Sequence, residues 1–242
     1  METPGDDRFV AAGLGAALAP PRHYRFYDQA SLGLEGKPGF GGSAAAVVSA
    51  CAAGLWAREA SWDALESLAV KVHFQVQGSG SGLDVRAAVH GGVLRVEGET
   101  VSPLNALPIV TIWSGASAST GPRVERYLDW KDRASFVDRS QALVDDFSQN
   151  PVSALAEAES LLAAMAESAG FSYRTPAHLR IASLAREFGG AAKPSGAGGG
   201  DISVALIPDP EAREAFCLAC ERELLTPIRV KIAPGVAGSS HV

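Results

Sequence analysis

Apolar residues recur at helical spacing along the first part of the chain. The pattern predicts a short helix over residues 6–18, ended by Pro20-Pro21, and a second helix over 44–60. The second helix is apolar on nearly all sides, so we expect it to be buried. A third helix is predicted over 62–77. Around these helices we expect a strand at 24–27, one or two helical turns at 85–90 and a strand at Val93–Glu97.

The second part of the chain alternates buried strands with longer helical patterns. Ile109–Trp113 and Ile202–Leu206 are apolar runs typical of buried strands. The composition shifts around residues 103–108, where we place the boundary between domains 1–105 and 106–242. Strands separated by helices indicate a mixed α/β or α+β arrangement. The remaining elements predicted here are helices at 123–130, 134–150, 151–170, 176–188 and 210–225 and a strand at 228–232.

Composition limits the classes of partner. The 242 residues carry a formal net charge of −6, and 47% are hydrophobic. An acidic chain does not favour nucleic acid or an anionic membrane, although a local basic pocket for a small anionic substrate is compatible with it. The sequence has no apolar run of about 18 residues and no signal-peptide pattern. We therefore expect a cytoplasmic protein with neither nucleic acid nor membrane as partner.

The cysteines give little support to a redox or zinc site. There are three, Cys51, Cys217 and Cys220, which is an odd number without a disulfide framework. The last two form a Cys-x-x-Cys pattern, but it lies within a helical pattern and has no second pair of ligands nearby. Ordinary helix cysteines in a reducing compartment are the favoured interpretation.

A glycine-rich loop precedes the helix predicted over 44–60. It reads Gly39-Phe40-Gly41-Gly42-Ser43 and runs directly into Ala44. A helix N-terminus offers unpaired N–H groups and the positive end of the helix dipole, which together suit a phosphate. The hydroxyl of Ser43 can add a contact to a phosphate oxygen or to Mg²⁺. The alternative is a tight turn with an N-capping serine.

A second glycine-rich loop, at 78–84, ends in a carboxylate. Asp84 follows Gly80-Ser81-Gly82-Leu83 at the start of a short helix. A carboxylate there could accept a proton during phosphoryl transfer or help to hold a metal ion. The alternative is an acidic residue that simply favours the first helical turn. His73 lies on an otherwise apolar helix face, where a buried core histidine is favoured over a ligand.

Two further segments offer anion-binding groups. Residues 193–201 read Lys-Pro-Ser-Gly-Ala-Gly-Gly-Gly-Asp, and with few Cβ atoms this backbone can close on an anion or on another backbone. The segment after Trp113 carries four hydroxyl groups, which can bind carboxylate or phosphate oxygens or can cap the following helix. These hydroxyl groups belong to Ser114, Ser117, Ser119 and Thr120.

In this order the three glycine-rich loops resemble the second motif, the acidic loop and the third motif of the GHMP small-molecule kinases. Three segments resemble phosphomevalonate kinases in particular: 80–92, 113–120 and 193–201. The resemblance implies an α+β fold with two domains. The N-terminal domain would be like ribosomal protein S5 domain 2, and the C-terminal domain would be ferredoxin-like.

The resemblance also implies an activity and the residues that support it. The γ-phosphoryl group of ATP would be transferred, with Mg²⁺, to phosphomevalonate as an isoprenoid precursor; the alternatives are mevalonate as acceptor, or a kinase remnant that binds a nucleotide or metabolite without catalysis. A monomer or homodimer is expected. Asp84 would be catalytic, and Ser43 would also contact the metal. The ATP-binding residues would be Gly39, Gly41, Gly42, Ser43 and Ala44, and the substrate-binding residues Ser117, Ser119, Thr120, Lys193, Ser195, Gly196, Ala197, Gly198, Gly199 and Gly200.

The sequence departs from the family pattern in two places. Gly42 stands where the second motif usually has the first serine of a pair. Members of the family also carry an N-terminal motif with a lysine well before the second motif, and the residues before Gly39 show no such motif. We therefore expect a shortened N-terminal domain.

Overall fold

The computed structural model describes residues 7–27, 39–78, 80–118 and 121–236. The described residues form nine helices and six strands, and the chain divides into two compact units. Unit 1 contains the described residues of 7–106, except Gly39, together with 232–236. Unit 2 contains Gly39 and the described residues of 107–231. No helix in the described parts of the chain is both long and apolar enough to span a membrane.

Unit 1 is a group of helices with one β-hairpin. Helix α2 (Gly42–Ala57) is buried along most of its length and packs against the other helices, as its apolar composition predicts. The hairpin strands pair antiparallel, from Val93 opposite Leu104 to Glu97 opposite Thr100. The elements are α1 (Arg8–Ala16), α2 (Gly42–Ala57), α3 (Leu65–Gln77), α4 (Leu83–His90), β1 (Val93–Glu97) and β2 (Thr100–Leu104).

Small residues allow α1 and α2 to approach closely. A Cβ atom on Gly13 would lie 2.7 Å from the Cβ of Ala50, closer than real Cβ atoms come. The core that forms around α2 contains Val47, Val48 and Leu55 together with Leu65 and other buried residues of α3 and α4. This core fixes the starts of α2 and α4 relative to one another.

Unit 2 is built on a four-stranded antiparallel sheet. Across the sheet the order is β4 (Ala191–Pro194), β5 (Ile202–Leu206), β3 (Ile109–Trp113) and β6 (Thr226–Ile228). If the four strands are numbered 1 to 4 along the chain, their order across the sheet is 2-3-1-4, as in a ferredoxin-like domain. This confirms the α+β fold class. The elements are β3 (Ile109–Trp113), α5 (Gly121–Asp129), α6 (Arg133–Asp146), α7 (Pro151–Ser168), α8 (Pro176–Glu187), β4 (Ala191–Pro194), β5 (Ile202–Leu206), α9 (Pro210–Arg222) and β6 (Thr226–Ile228).

The two faces of this sheet bury different helices. On one face, Ile112 and Ala205 pack with Ile181 of α8 and Phe216 of α9. On the other face, Ala191 and Leu206 pack with Leu155 of α7. Alternate residues of each strand therefore point to opposite helix layers, as strand geometry requires.

The structure differs from the sequence-based prediction at several strands. Of residues 24–27 only Arg25 forms a β-bridge, so the strand predicted there is not a regular strand. Strands β2 and β4 were not predicted, and the last strand lies at Thr226–Ile228 where 228–232 was expected. These strands contain Pro103, Pro194 and Pro227, and proline disfavours the assignment of a strand from sequence.

Candidate functional site

The N-terminus of α2 is open to an anion. Gly41 is the N-cap residue in the left-handed conformation, with φ of 71°, and no side chain caps the helix. Gly42, Ser43 and Ala44 supply the first backbone N–H groups, which have no acceptor within the helix. Gly42 is exposed and Ser43 is half-buried. Ser43 is the second residue of the helix, so the alternative in which it is an N-capping serine is wrong.

Asp84 lies beside the start of α2. It is the second residue of α4, and its Oδ1 accepts a hydrogen bond from the N–H of Val85 at 2.9 Å. A Cβ atom on Gly41 would lie 3.6 Å from the Cβ of Asp84. The side chain of Asp84 is 42% exposed. The carboxylate therefore lies next to the predicted phosphate site and is accessible to a ligand. Its position in the first turn of α4 also agrees with the alternative, in which Asp84 only favours the start of the helix.

His73 contacts both of these side chains. Its Nε2 lies 3.0 Å from the Oγ of Ser43 and 3.8 Å from Oδ2 of Asp84. The residue is 3% exposed, and its ring stacks on Phe9 with the ring centroids 5.5 Å apart. The sequence predicted its burial and missed its contacts. The available signal was that a polar group on an apolar helix face needs a buried partner.

The oxygen atoms at this place fit a magnesium ion. Mg²⁺ prefers hard oxygen ligands and is usually held by one or two carboxylates together with substrate phosphates and water. Ser43 supplies a hydroxyl group and Asp84 a carboxylate, both near the start of α2. Within the described residues, no group of three or more His, Cys, Asp or Glu side chains could hold a metal ion. A metal here would therefore depend on the phosphates for most of its ligands.

The third glycine-rich loop, residues 195–201, connects β4 and β5 in unit 2. Its backbone closes on its neighbours: the N–H of Gly199 donates to the carbonyl of Tyr173 at 2.7 Å. A Cβ atom on Gly200 would lie 2.8 Å from the carbonyl oxygen of Ala116. Gly196, in contrast, is exposed, and a Cβ atom there would meet nothing within 4 Å. Gly199 and Gly200 therefore allow the loop backbone to pack closely against its neighbours, whereas the side of the loop at Gly196 is open.

Asp201 ties this loop to the hydroxyl-rich segment after β3. Its N–H donates to the carbonyl of Ala116 at 2.7 Å, and its Oδ1 accepts from the N–H of Ala118 at 2.9 Å. Its carbonyl accepts from the N–H of Ser114 at 3.0 Å. Asp201 was not among the site residues predicted from the sequence. Of the predicted substrate-binding residues with a hydroxyl group, Ser117 is exposed and Ser195 is half-buried, and Ser119 and Thr120 lie outside the described residues.

Lys193 belongs to β4, ahead of the loop in which it was predicted to act. Its Nζ donates to the carbonyl of Pro194 at 2.7 Å. Burial lowers the pKa of Lys193 to about 8, and the charge of Glu159 opposes this shift. Glu159 itself is 7% exposed and accepts two hydrogen bonds from Arg174, at 2.5 and 2.7 Å. The lysine therefore lies near an ion pair in the interior of unit 2.

The thiols are poor nucleophiles. Cys51, Cys217 and Cys220 are buried and form no disulfide. Burial raises the pKa of Cys51 to about 11 and that of Cys220 to about 12. Because the thiolate is the reactive and metal-binding form, these cysteines fit the interpretation as ordinary helix residues.

Comparisons with known proteins agree with this architecture. Residues 151–224 match the family of GHMP kinases at its C-terminal domain. No curated protein sequence matches the chain.

Three solved structures are similar over nearly the whole chain. The Lin0012 protein from Listeria innocua is 22% identical with a TM-score of 0.83, over 96% of this chain and 81% of that one. Mevalonate kinase from Methanococcus jannaschii is 17% identical with a TM-score of 0.77, over 95% and 76%. Phosphomevalonate kinase from Streptococcus pneumoniae, in complex with phosphomevalonate and AMPPNP, is 18% identical with a TM-score of 0.72, over 94% and 83%. The chain therefore has the fold of the mevalonate and phosphomevalonate kinases, and its residues 151–224 match the C-terminal domain of the GHMP kinases.

Proposed function

We propose that the chain is an ATP-dependent kinase of the GHMP type that phosphorylates phosphomevalonate in the mevalonate pathway of isoprenoid-precursor synthesis. The observation that carries this proposal is the position of Asp84 beside the uncapped N-terminus of α2. A carboxylate next to an anion site suits phosphoryl transfer, because it can hold a metal or accept a proton there. The similarity of fold to mevalonate and phosphomevalonate kinases supports the same reaction class.

In this proposal the triphosphate of ATP binds at the start of α2. The N–H groups of Gly42, Ser43 and Ala44 bind phosphate oxygens, and the helix dipole favours the negative charge. The Asp84 carboxylate alone would repel the phosphates, so a cation between them is required. Ser43 and Asp84 would hold Mg²⁺, which when bound neutralises the charge that develops on the phosphate oxygens.

The role of Asp84 depends on the acceptor. The bond from the γ-phosphorus to the bridging β,γ-oxygen breaks, and a bond from the same phosphorus to an acceptor oxygen forms. With a phosphate acceptor, which is already ionised, Asp84 acts through charge and through the metal. With a hydroxyl acceptor such as that of mevalonate, Asp84 takes up the proton that the hydroxyl loses.

The acceptor-binding groups belong to unit 2. We propose that the open side of loop 195–201, at Gly196, and the exposed residue Ser117 bind the acceptor. The guanidinium of Arg123 lies against Gly199 of the same loop and supplies a positive charge there. Arg86, a cation of unit 1, pairs with Glu66 at 3.0 Å and donates to the carbonyl of Gly98. Arg86 therefore supports unit 1 and is not proposed as a substrate ligand.

The test is the release of ADP from Mg·ATP, measured in parallel with phosphomevalonate and with mevalonate. We expect phosphomevalonate to stimulate release more strongly. Stronger stimulation by mevalonate would assign the alternative acceptor. The Asp84→Asn variant, purified in the same way, controls for contaminating kinases. If the chain binds nucleotide and neither acceptor stimulates ADP release, the chain is a nucleotide-binding kinase remnant and the proposed activity is wrong.

A further inference from the structure

One nitrogen atom of His73 faces both functional side chains of unit 1. Nε2 lies 3.0 Å from Oγ of Ser43, which is a hydrogen bond, and 3.8 Å from Oδ2 of Asp84, which is a longer polar contact. In a Ser-His-Asp relay the two partners face different ring nitrogens. Here both partners face the same nitrogen. The arrangement therefore does not activate Ser43 as a nucleophile, and another role must account for it.

The histidine ring is well placed to act as a rigid anchor. It is 3% exposed and stacks on Phe9 with an angle of 30° between the ring planes. The same helix, α3, buries Leu65, Ala69 and Val72 in the core of unit 1. A ring that is held by packing on a core helix has few alternative orientations. Its Nε2 atom is therefore a fixed point for the groups that it contacts.

The three contacting residues come from three helices. Ser43 lies in the first turn of α2, Asp84 in the first turn of α4, and His73 near the end of α3. Asp84 is restrained at both oxygens, since Oδ1 accepts from the N–H of Val85 and Oδ2 faces His73. Without the ring, Asp84 would keep the Oδ1 hydrogen bond to the Val85 N–H and would lose the contact that orients Oδ2. Ser43 would also lose the partner of its hydroxyl group.

We propose that His73 is a positioning residue, which orients the Ser43 hydroxyl and the Asp84 carboxylate toward the phosphates of the bound nucleotide. This inference rests on the proposed kinase function and assigns a role to a residue outside the predicted set. A displacement of about 1 Å in a reacting group can cost about 10²-fold in rate, so loss of the ring should lower turnover more than binding.

The experiment compares two substitutions at His73. His73→Leu removes the polar atom and keeps an apolar side chain in the core, whereas His73→Gln places an amide nitrogen close to the position of Nε2. We expect His73→Leu to lower kcat by roughly 10- to 100-fold with little change in KM for ATP or for the acceptor. We expect His73→Gln to recover most of the lost turnover. Phe9→Leu, which loosens the ring without removing it, is the matched control and should have a smaller effect on kcat.

A second measurement does not depend on activity. The ¹⁵N resonance of His73 Nε2, recorded at one fixed pH, should shift in both Ser43→Ala and Asp84→Asn if the ring contacts both side chains. A folded His73→Leu protein with unchanged kcat would overturn the proposal, as would an Nε2 resonance that neither substitution moves. If the unaltered chain releases no ADP with either acceptor, the kinase function fails and the catalytic part of this proposal fails with it. In that case the resonance shift still tests whether His73 contacts Ser43 and Asp84, but it no longer tests a role in catalysis.

Discussion

Gly41 and Asp84 lie next to each other at the starts of two helices, so that a Cβ atom on Gly41 would be 3.6 Å from the Cβ of Asp84. A side chain larger than a methyl group at residue 41 would therefore enter the space beside the Asp84 carboxylate. Gly41 also has φ of 71°, a conformation that L residues adopt at a cost of about 1–2 kcal/mol. A substitution at residue 41 therefore tests directly whether a phosphate binds at the start of α2.

The first prediction concerns nucleotide binding. In Gly41→Val, the branched side chain enters the space beside Asp84, and we expect the Kd for Mg·ATP to rise by about tenfold or more, which is about 1.4 kcal/mol. Calorimetric titration of the folded variant measures this change. Gly92→Val is the matched control, because Gly92 has nearly the same φ of 72° and a Cβ atom there would meet nothing within 4 Å. Equal affinities in the Gly41→Val and unaltered proteins would remove the phosphate site from the start of α2.

The second prediction concerns the chemical step. Asp84→Asn keeps the size of the side chain and the acceptor for the Val85 N–H but removes the negative charge. We expect kcat to fall by about 10²-fold or more with little change in acceptor KM, since the loss of one group that stabilises charge in the transition state typically costs that much. Asp63→Asn, at an exposed carboxylate just before α3, is the control and should retain full activity. A loss confined to KM would make Asp84 a binding residue, and full activity would leave it as a residue that only favours the helix start.

The sequence predicted the parts of the fold in which local preference and tertiary pairing agree. Strands β3 and β5 were predicted with their observed bounds because they are largely apolar runs with β-branched residues. Strand β1 was also predicted with its observed bounds, because Gly91-Gly92 marks a turn before Val93. Strand β4 was missed because Ala191, Ala192, Lys193 and Pro194 have little strand preference of their own. Its pairing with β5 supplies the stabilisation that its composition lacks.

The candidate site was predictable only where a local pattern marks it. Ser43 and Asp84 each follow a glycine-rich loop at the start of a helix, and that local signal singled them out. His73 has no such signal, because its importance comes from Ser43 and Asp84 being brought to it by the packing of three helices. Asp201 was missed for a related reason. Its contacts are to the backbone of a distant segment, and its φ of 58° arises from that packing.

The third prediction concerns the ion pair between Glu159 and Arg174. Arg174→Met leaves the Glu159 carboxylate buried without its partner, because Glu159 is 7% exposed and receives two hydrogen bonds from this guanidinium. We expect the free energy of unfolding to fall by about 3 kcal/mol, as when one partner of a buried ion pair is removed. Urea unfolding monitored by circular dichroism measures this change.

The control for this prediction is an exposed ion pair on the same unit. Arg229 and Glu214 pair at 2.6 Å with side chains that are 51% and 57% exposed. Arg229→Met should lower the free energy of unfolding much less than Arg174→Met does, because water screens and solvates both charges. Similar losses in the two variants would mean that burial does not determine the contribution of the Glu159 pair.

The last prediction concerns pH. His178 forms a reciprocal cap at the start of α8: its Nδ1 accepts from the N–H of Thr175, and its own N–H donates to Oγ1 of Thr175, both at 3.2 Å. The residue is 2% exposed, and burial lowers the pKa of His178 below its ordinary value of 6.5, although nearby backbone groups and the carboxylate of Asp201 oppose the shift.

The folded chain therefore holds this histidine neutral where the unfolded chain takes up a proton. As the pH falls below about 6.5 toward the lowered pKa, the unfolded state gains protons first, and the free energy of unfolding must decrease. His178→Gln keeps a side chain that can accept from the N–H of Thr175 but cannot titrate in this range. Urea unfolding at pH 7.5 and 5.5 should thus show a larger loss of stability on acidification in the unaltered protein than in His178→Gln. Equal losses in the two proteins would show that His178 takes up its proton with the same affinity in the folded and unfolded states.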